Sequence, residues 1–125
     1  MSTQMNPVNW FEIPTNDLNR AKAFYEHVFD IELNLNEMGP LKMAWFPMAQ
    51  DAPGATGTLI QSAEYTPSYE GTLVYFSVED IEGTLKKVEE KGGKILNPKQ
   101  SIGDYGFVAH FEDCEGNRVA LHSRE

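Results

Sequence analysis

Trp10-Phe11-Glu12-Ile13-Pro14-Thr15-Asn16-Asp17-Leu18-Asn19-Arg20-Ala21-Lys22-Ala23-Phe24-Tyr25 is the stretch that decides the fold, because its hydrophobic period changes in the middle. Over residues 8 to 14, Phe11 and Ile13 alternate with Trp10 and Glu12, the two-residue period of a half-buried strand, and Pro14 marks its end. Asn16 or Asp17 can then cap the free N–H groups of a first helical turn. From there Leu18, Ala21, Phe24, Tyr25 and Val28 recur three or four residues apart, which predicts an amphipathic helix over 18–29. Extended pieces follow at about 31–36, 41–47 and 57–62, separated by Met38-Gly39-Pro40 and by a loop containing Pro53-Gly54. The first half reads βαβββ.

The second half repeats that order. Val74, Phe76 and Val78 alternate, Asp80 caps, and Ile81, Thr84, Leu85 and Val88 carry a helix that stops at Gly92-Gly93. Strands are expected at about 94–97, 106–112 and 118–123, the last two joined by a tight turn from Asp113 to Asn117. Shifting the chain by 63 places lays Asp80 on Asp17, Glu89 on Glu26 and Leu96 on Leu33. The expected fold class is therefore α+β: two tandem βαβββ modules, 8–62 and 72–123 with a linker at 63–71, forming paired curved mixed sheets around a cleft. Each module has about 55 residues and is marginal alone, so the two should pair within the chain, across a homodimer, or both.

Composition bounds the partners. The 125 residues carry 19 Asp and Glu against 10 Lys and Arg, a net charge of -9, and contain no run of basic residues. Nucleic acids and anionic membranes need clustered positive charge and are not expected partners. The start, Met1-Ser2-Thr3-Gln4-Met5-Asn6-Pro7, has no secretory signal pattern, and no apolar run approaches a membrane span, so a cytoplasmic protein is expected. The single cysteine, Cys114, can form no intrachain disulfide and has no local sign of activation.

The arrangement resembles the vicinal oxygen chelate superfamily, which includes glyoxalase I, bleomycin-resistance proteins and extradiol dioxygenases. The carriers are Trp10 to Pro14, Asp17 to Tyr25, Val78-Glu79-Asp80-Ile81 and Asp113-Cys114-Glu115-Gly116-Asn117-Arg118-Val119-Ala120-Leu121. The resemblance implies His, Glu or Gln metal ligands on the first and last strand of each repeat. By the same count those positions hold Trp10, Leu73, Ala120 and, in the first half, Leu59, none of which can coordinate a cation. No metal and no other cofactor is therefore expected.

Residues two apart on a strand share a face, which places Glu12, Gln61, Tyr75 and His122 at the next inward positions, with His110 beside them. Trp10 and Tyr75 would be the flat walls of a ligand cleft, with Gln61, His110, Glu12 and His122 as its orienting polar groups. Glu12 and His122 could act as a catalytic acid–base pair if burial brought their pKa values toward neutrality. The bland alternative is that these groups only satisfy one another. Three functions stay open: a bleomycin-resistance-like binder of a small molecule without metal; a glyoxalase-like lyase or isomerase using either that pair or a displaced metal on Glu12, Gln61 and His122; and an interaction module whose cleft buries a dimer interface.

Overall fold

The computed structural model describes residues 6–125. The expected absence of a leader rests in part on residues 1–5, which lie outside the described residues. The elements run β1 (Trp10–Pro14), α1 (Leu18–Phe29), β2 (Asn34–Met38), β3 (Leu41–Trp45), β4 (Thr56–Gln61), β5 (Tyr75–Ser77), α2 (Ile81–Glu90), β6 (Lys94–Ser101), a single 3-10 turn (Gly103–Tyr105), β7 (Phe107–Glu112) and β8 (Arg118–Ser123). One four-stranded sheet has the order β1-β4-β3-β2 and the other β5-β8-β7-β6. In each, the first strand runs parallel to the last of its module and the remaining pairs are antiparallel. The two sheets are thus copies of one mixed topology, as the repeat predicts.

The helices begin where the sequence caps them. Asp17 accepts from Arg20 N and Asp80 from Gly83 N, each over 3.1 Å, with nearly identical extended backbones at the two caps. Both helices turn their apolar stripes toward one shared core. Leu18, Ala21, Phe24, Tyr25 and Val28 of α1 and Ile81, Leu85 and Val88 of α2 join Ile13, Leu59, Phe111 and Leu121 in a single cluster. Burying each large side chain contributes roughly 1.5–3 kcal/mol relative to leaving it in water. The pairing expected of two marginal modules is therefore made inside one chain.

Two boundaries differ from the sequence reading. Ile31 and Leu33 pack against or within the core before the strand begins at Asn34. β6 runs on to Ser101, with register shifts between Ile95 and Asn97 and between Asn97 and Gln100, around Pro98. Proline has no N–H to give a ladder, and an edge strand absorbs that loss by bulging.

The turn from Asp113 to Asn117 does more than join β7 to β8. Its buried Glu115 accepts from the backbone N–H groups of Asn16 and Asp17, at 2.5 and 2.9 Å, and pairs with Arg20. Asn117 donates to Pro14 O over 2.8 Å and accepts from Ser68 N over 3.1 Å. A turn of the second module thereby finishes the helix start of the first and ties down the linker.

Candidate functional site

β1 and β5 are each bonded on one side only, and their free edges look toward one another. Phe11 and Phe76 bridge the seam below, with ring centroids 5.7 Å apart. Above them lies a cleft of about 830 Å³. Trp10, Glu12 and Thr56 line its first-module side, and Thr72 and Tyr75 the other. The Trp10 ring is held edge to face against Trp45, centroids 5.6 Å apart, so it is braced before any ligand arrives. Glu12 is exposed, and its carboxylate beside the Tyr65 hydroxyl raises the Tyr65 pKa. Glu12 also lines a smaller cavity of about 200 Å³ with Ser68, Asn117 and Arg118.

The second-module face carries a chain of contacts. Tyr75 and His110 both pair with Ala120 across β8 and so lie on the same face, flanking it. Because Ala120 is a fully buried methyl, the two rings meet across it, with Tyr75 Oη and His110 Nε2 3.4 Å apart. Arg118 Nε donates to His110 Nδ1 over 3.1 Å. A guanidinium can only donate, so Nδ1 is the acceptor and the proton of a neutral imidazole sits on Nε2, toward Tyr75. Burial, and then the Arg118 charge, hold the His110 pKa below its ordinary value. Arg118 stands in the stretch that carries the family resemblance, but strand alternation alone gave it no role; its spacing from His110 across the β7–β8 hairpin, Glu112 opposite Arg118, was the signal that could have found it.

Of the other expected site residues, His122 shares the cleft face but its Nε2 is 2.7 Å from Tyr105 O, so it donates there and anchors the 101–106 loop. No hydrogen bond joins it to Glu12 among the described residues. Gln61 requires a correction. Glu12 aligns with Thr58, and Ile13 with Leu59, so Thr58 and Ile60 share the face of Glu12 while Leu59 and Gln61 lie on the helix side. Leu59 is part of the helix-side core. Gln61 Oε1 accepts from Leu18 N over 2.8 Å and completes the start of α1. The counterpart of Ala120 in the first module is thus Thr58, whose buried hydroxyl donates to Ala44 O over 3.0 Å. A register error of one residue reverses every side chain of a strand, and here both faces of β4 are buried, so alternation offered no warning.

The residues proposed for a displaced metal do not fit one. Gln61 is on the opposite side of the sheet from Glu12, and no group of three or more His, Cys, Asp or Glu with metal-holding geometry occurs among the described residues. Nor, among them, is any helix long and apolar enough to cross a membrane.

The comparisons with known proteins agree with this architecture. The family model of the Glyoxalase/Bleomycin resistance protein/Dioxygenase superfamily matches residues 8–121. A glyoxylase-like domain-containing protein of Didymella fabae is 30% identical over 121 residues, covering 94% of this chain and 93% of its own. A putative glyoxylase of Mycobacterium bovis is 30% identical over 120 residues, 90% of this chain but only 44% of the relative, so this chain spans under half of it. Among solved structures, a glyoxylase/bleomycin resistance protein/dioxygenase domain from Frankia sp. superposes with a TM-score of 0.74 at 15% identity, over 97% of this chain and 99% of that one.

Proposed function

The chain belongs to the glyoxalase/bleomycin resistance/dioxygenase superfamily, and from that premise we propose that it binds a small organic molecule in the cleft between its two modules without a metal ion. The observation that carries this reading is the cleft of about 830 Å³ with a braced indole on one wall, a half-exposed tyrosine on the other and few polar groups between. Trp10, Glu12 and Tyr75 make the contacts, and His110 holds Tyr75 from behind. A lyase or isomerase working through Glu12 and His122 has no contact to support it, since His122 Nε2 is spent on Tyr105 O.

Elemental analysis together with thermal-shift and tryptophan-fluorescence screening of a metabolite and drug panel tests the proposal. Metal below stoichiometric level, and at least one compound that raises Tm and quenches Trp10, are expected; Trp10→Ala should abolish the response. Stoichiometric metal lost on Glu12→Ala or His122→Ala would overturn it.

We propose further that the protein acts in the cytoplasm as a homodimer. Leu35, Met38 and Met48 are exposed apolar side chains outside the cleft and suited to a second copy, and Cys114 remains a free thiol. Sedimentation as a monomer at micromolar concentration would refute the dimer.

A further inference from the structure

The ligand class can be narrowed from the way charge and apolar surface are distributed in the seam. Among the described residues that line the large cleft, Glu12 is the sole ionisable group that carries a charge at neutral pH. No arginine, lysine or histidine lines it; His110 and His122 share the sheet face but stand on β7 and β8, farther from the seam than the edge strand β5. The nearest cation on the adjoining small cavity, Arg118, is committed to His110 and stacks over Tyr69, 6.0 Å from the ring centroid. The hydroxyls of Thr56, Thr72 and Ser77 add only neutral polarity to the lining.

The floor is of the opposite character. Phe11, Phe46 and Phe76 lie within 5.5 to 5.7 Å of one another by ring centroids, and Phe29 stacks on Phe76 at 4.6 Å. Ile31, Phe46, Phe76 and Ser77 also line a second cavity, toward α1 and α2, so the seam continues inward past the plane of the sheets, where its lining adds one acid, Glu79, and one base, Lys87. That continuation exists because β1 and β5 do not pair: a hydrogen-bonded ladder there would close it.

We infer that the cleft selects an amphiphilic organic monocation, a protonated amine on an aryl or alkyl body, with the ammonium between Glu12 and the faces of Trp10 and Tyr75 and the apolar body on the phenylalanine floor. This rests on the binding reading above. An anion would meet the Glu12 carboxylate with no cation lining the cleft, and a small hydrophilic cation would leave the floor wet. Indole and phenol faces attract an ammonium through their quadrupoles, adding to the carboxylate's pull.

Matched probes separate the contributions: phenethylammonium, phenethyl alcohol, phenylacetate and ethylammonium, titrated against the full chain with amide and indole N–H chemical shifts as readout. Phenethylammonium should move the Trp10 indole signal with an affinity about five- to ten-fold above the alcohol. Phenylacetate and ethylammonium should bind more weakly than either. Glu12→Gln should erase the amine-over-alcohol preference, and Phe76→Leu should weaken both without changing their ratio. Equal binding of amine and alcohol, or a preference that survives Glu12→Gln, overturns the inference. If other compounds of the wider panel move Trp10 while these do not, the cleft still binds ligands and only the monocation assignment falls; if nothing moves it, both fall.

Discussion

Tyr25 on α1 donates its hydroxyl to Asp113 Oδ2 over 2.7 Å, in an interior where both residues are at most 1% exposed. Asp113 also accepts from Glu115 N, Asn117 N and the Asn117 side chain, so four donors from two modules converge on one carboxylate. Burial raises the Asp113 pKa above its ordinary value although these bonds pull it down. Tyr25 is raised too, by burial and then by the Asp113 charge.

Tyr25→Phe removes a hydrogen bond to a buried charge and should cost about 1.5–3 kcal/mol at neutral pH. A raised folded pKa means that Asp113's own contribution is fully present below its unfolded pKa and is lost as pH rises through the folded one. Since the tyrosine stabilises the ionised carboxylate, the deficit of Tyr25→Phe should shrink when pH falls through the folded pKa. Urea unfolding at neutral and mildly acid pH checks this, and a deficit independent of pH would sink it.

Gln61→Ala should cost about 0.5–2 kcal/mol, because Leu18 N loses its acceptor at the start of α1. Ligand affinity in the cleft should be unchanged. A variant with normal stability and lost binding would return Gln61 to the cleft face.

His110 should titrate below the usual imidazole range, since burial and the neighbouring Arg118 charge both disfavour its proton. Its folded pKa is depressed, so the stability it contributes is lost as pH falls from the ordinary histidine value through the folded one. Long-range proton–nitrogen NMR should show the proton on Nε2, and Arg118→Met should move the midpoint upward. A midpoint that stays put in that variant would remove Arg118 from the account.

Cys114 should be nearly inert. Burial, then the Asp113 and Glu115 charges, push its thiol up to about 12, which leaves about a thousand-fold less thiolate at neutral pH than an ordinary cysteine. Reaction with a disulfide reagent should be at least about a hundred-fold faster in denaturant than in the native state. Comparable rates in the two states would contradict this.

The change of period after Pro14, its recurrence after Val78 and the two aspartate caps sufficed for two βαβββ modules, because such signals are local: each depends on residues within one helical turn or one strand. They also placed Trp10, Glu12, Tyr75, His110 and His122 on the open faces, since in β1, β5, β7 and β8 the apolar residues alternate cleanly. β4 escaped that logic. Its burial on both sides left its facing to the pairing of Ile13 with Leu59, a contact 46 residues apart in the chain. The work of Asp113, Glu115 and Asn117 was hidden for the same reason, their partners lying on the other module. The seam, the phenylalanine floor and the isolation of Glu12 depend on how two separately legible modules meet, and that is set by packing between residues the chain order keeps far apart.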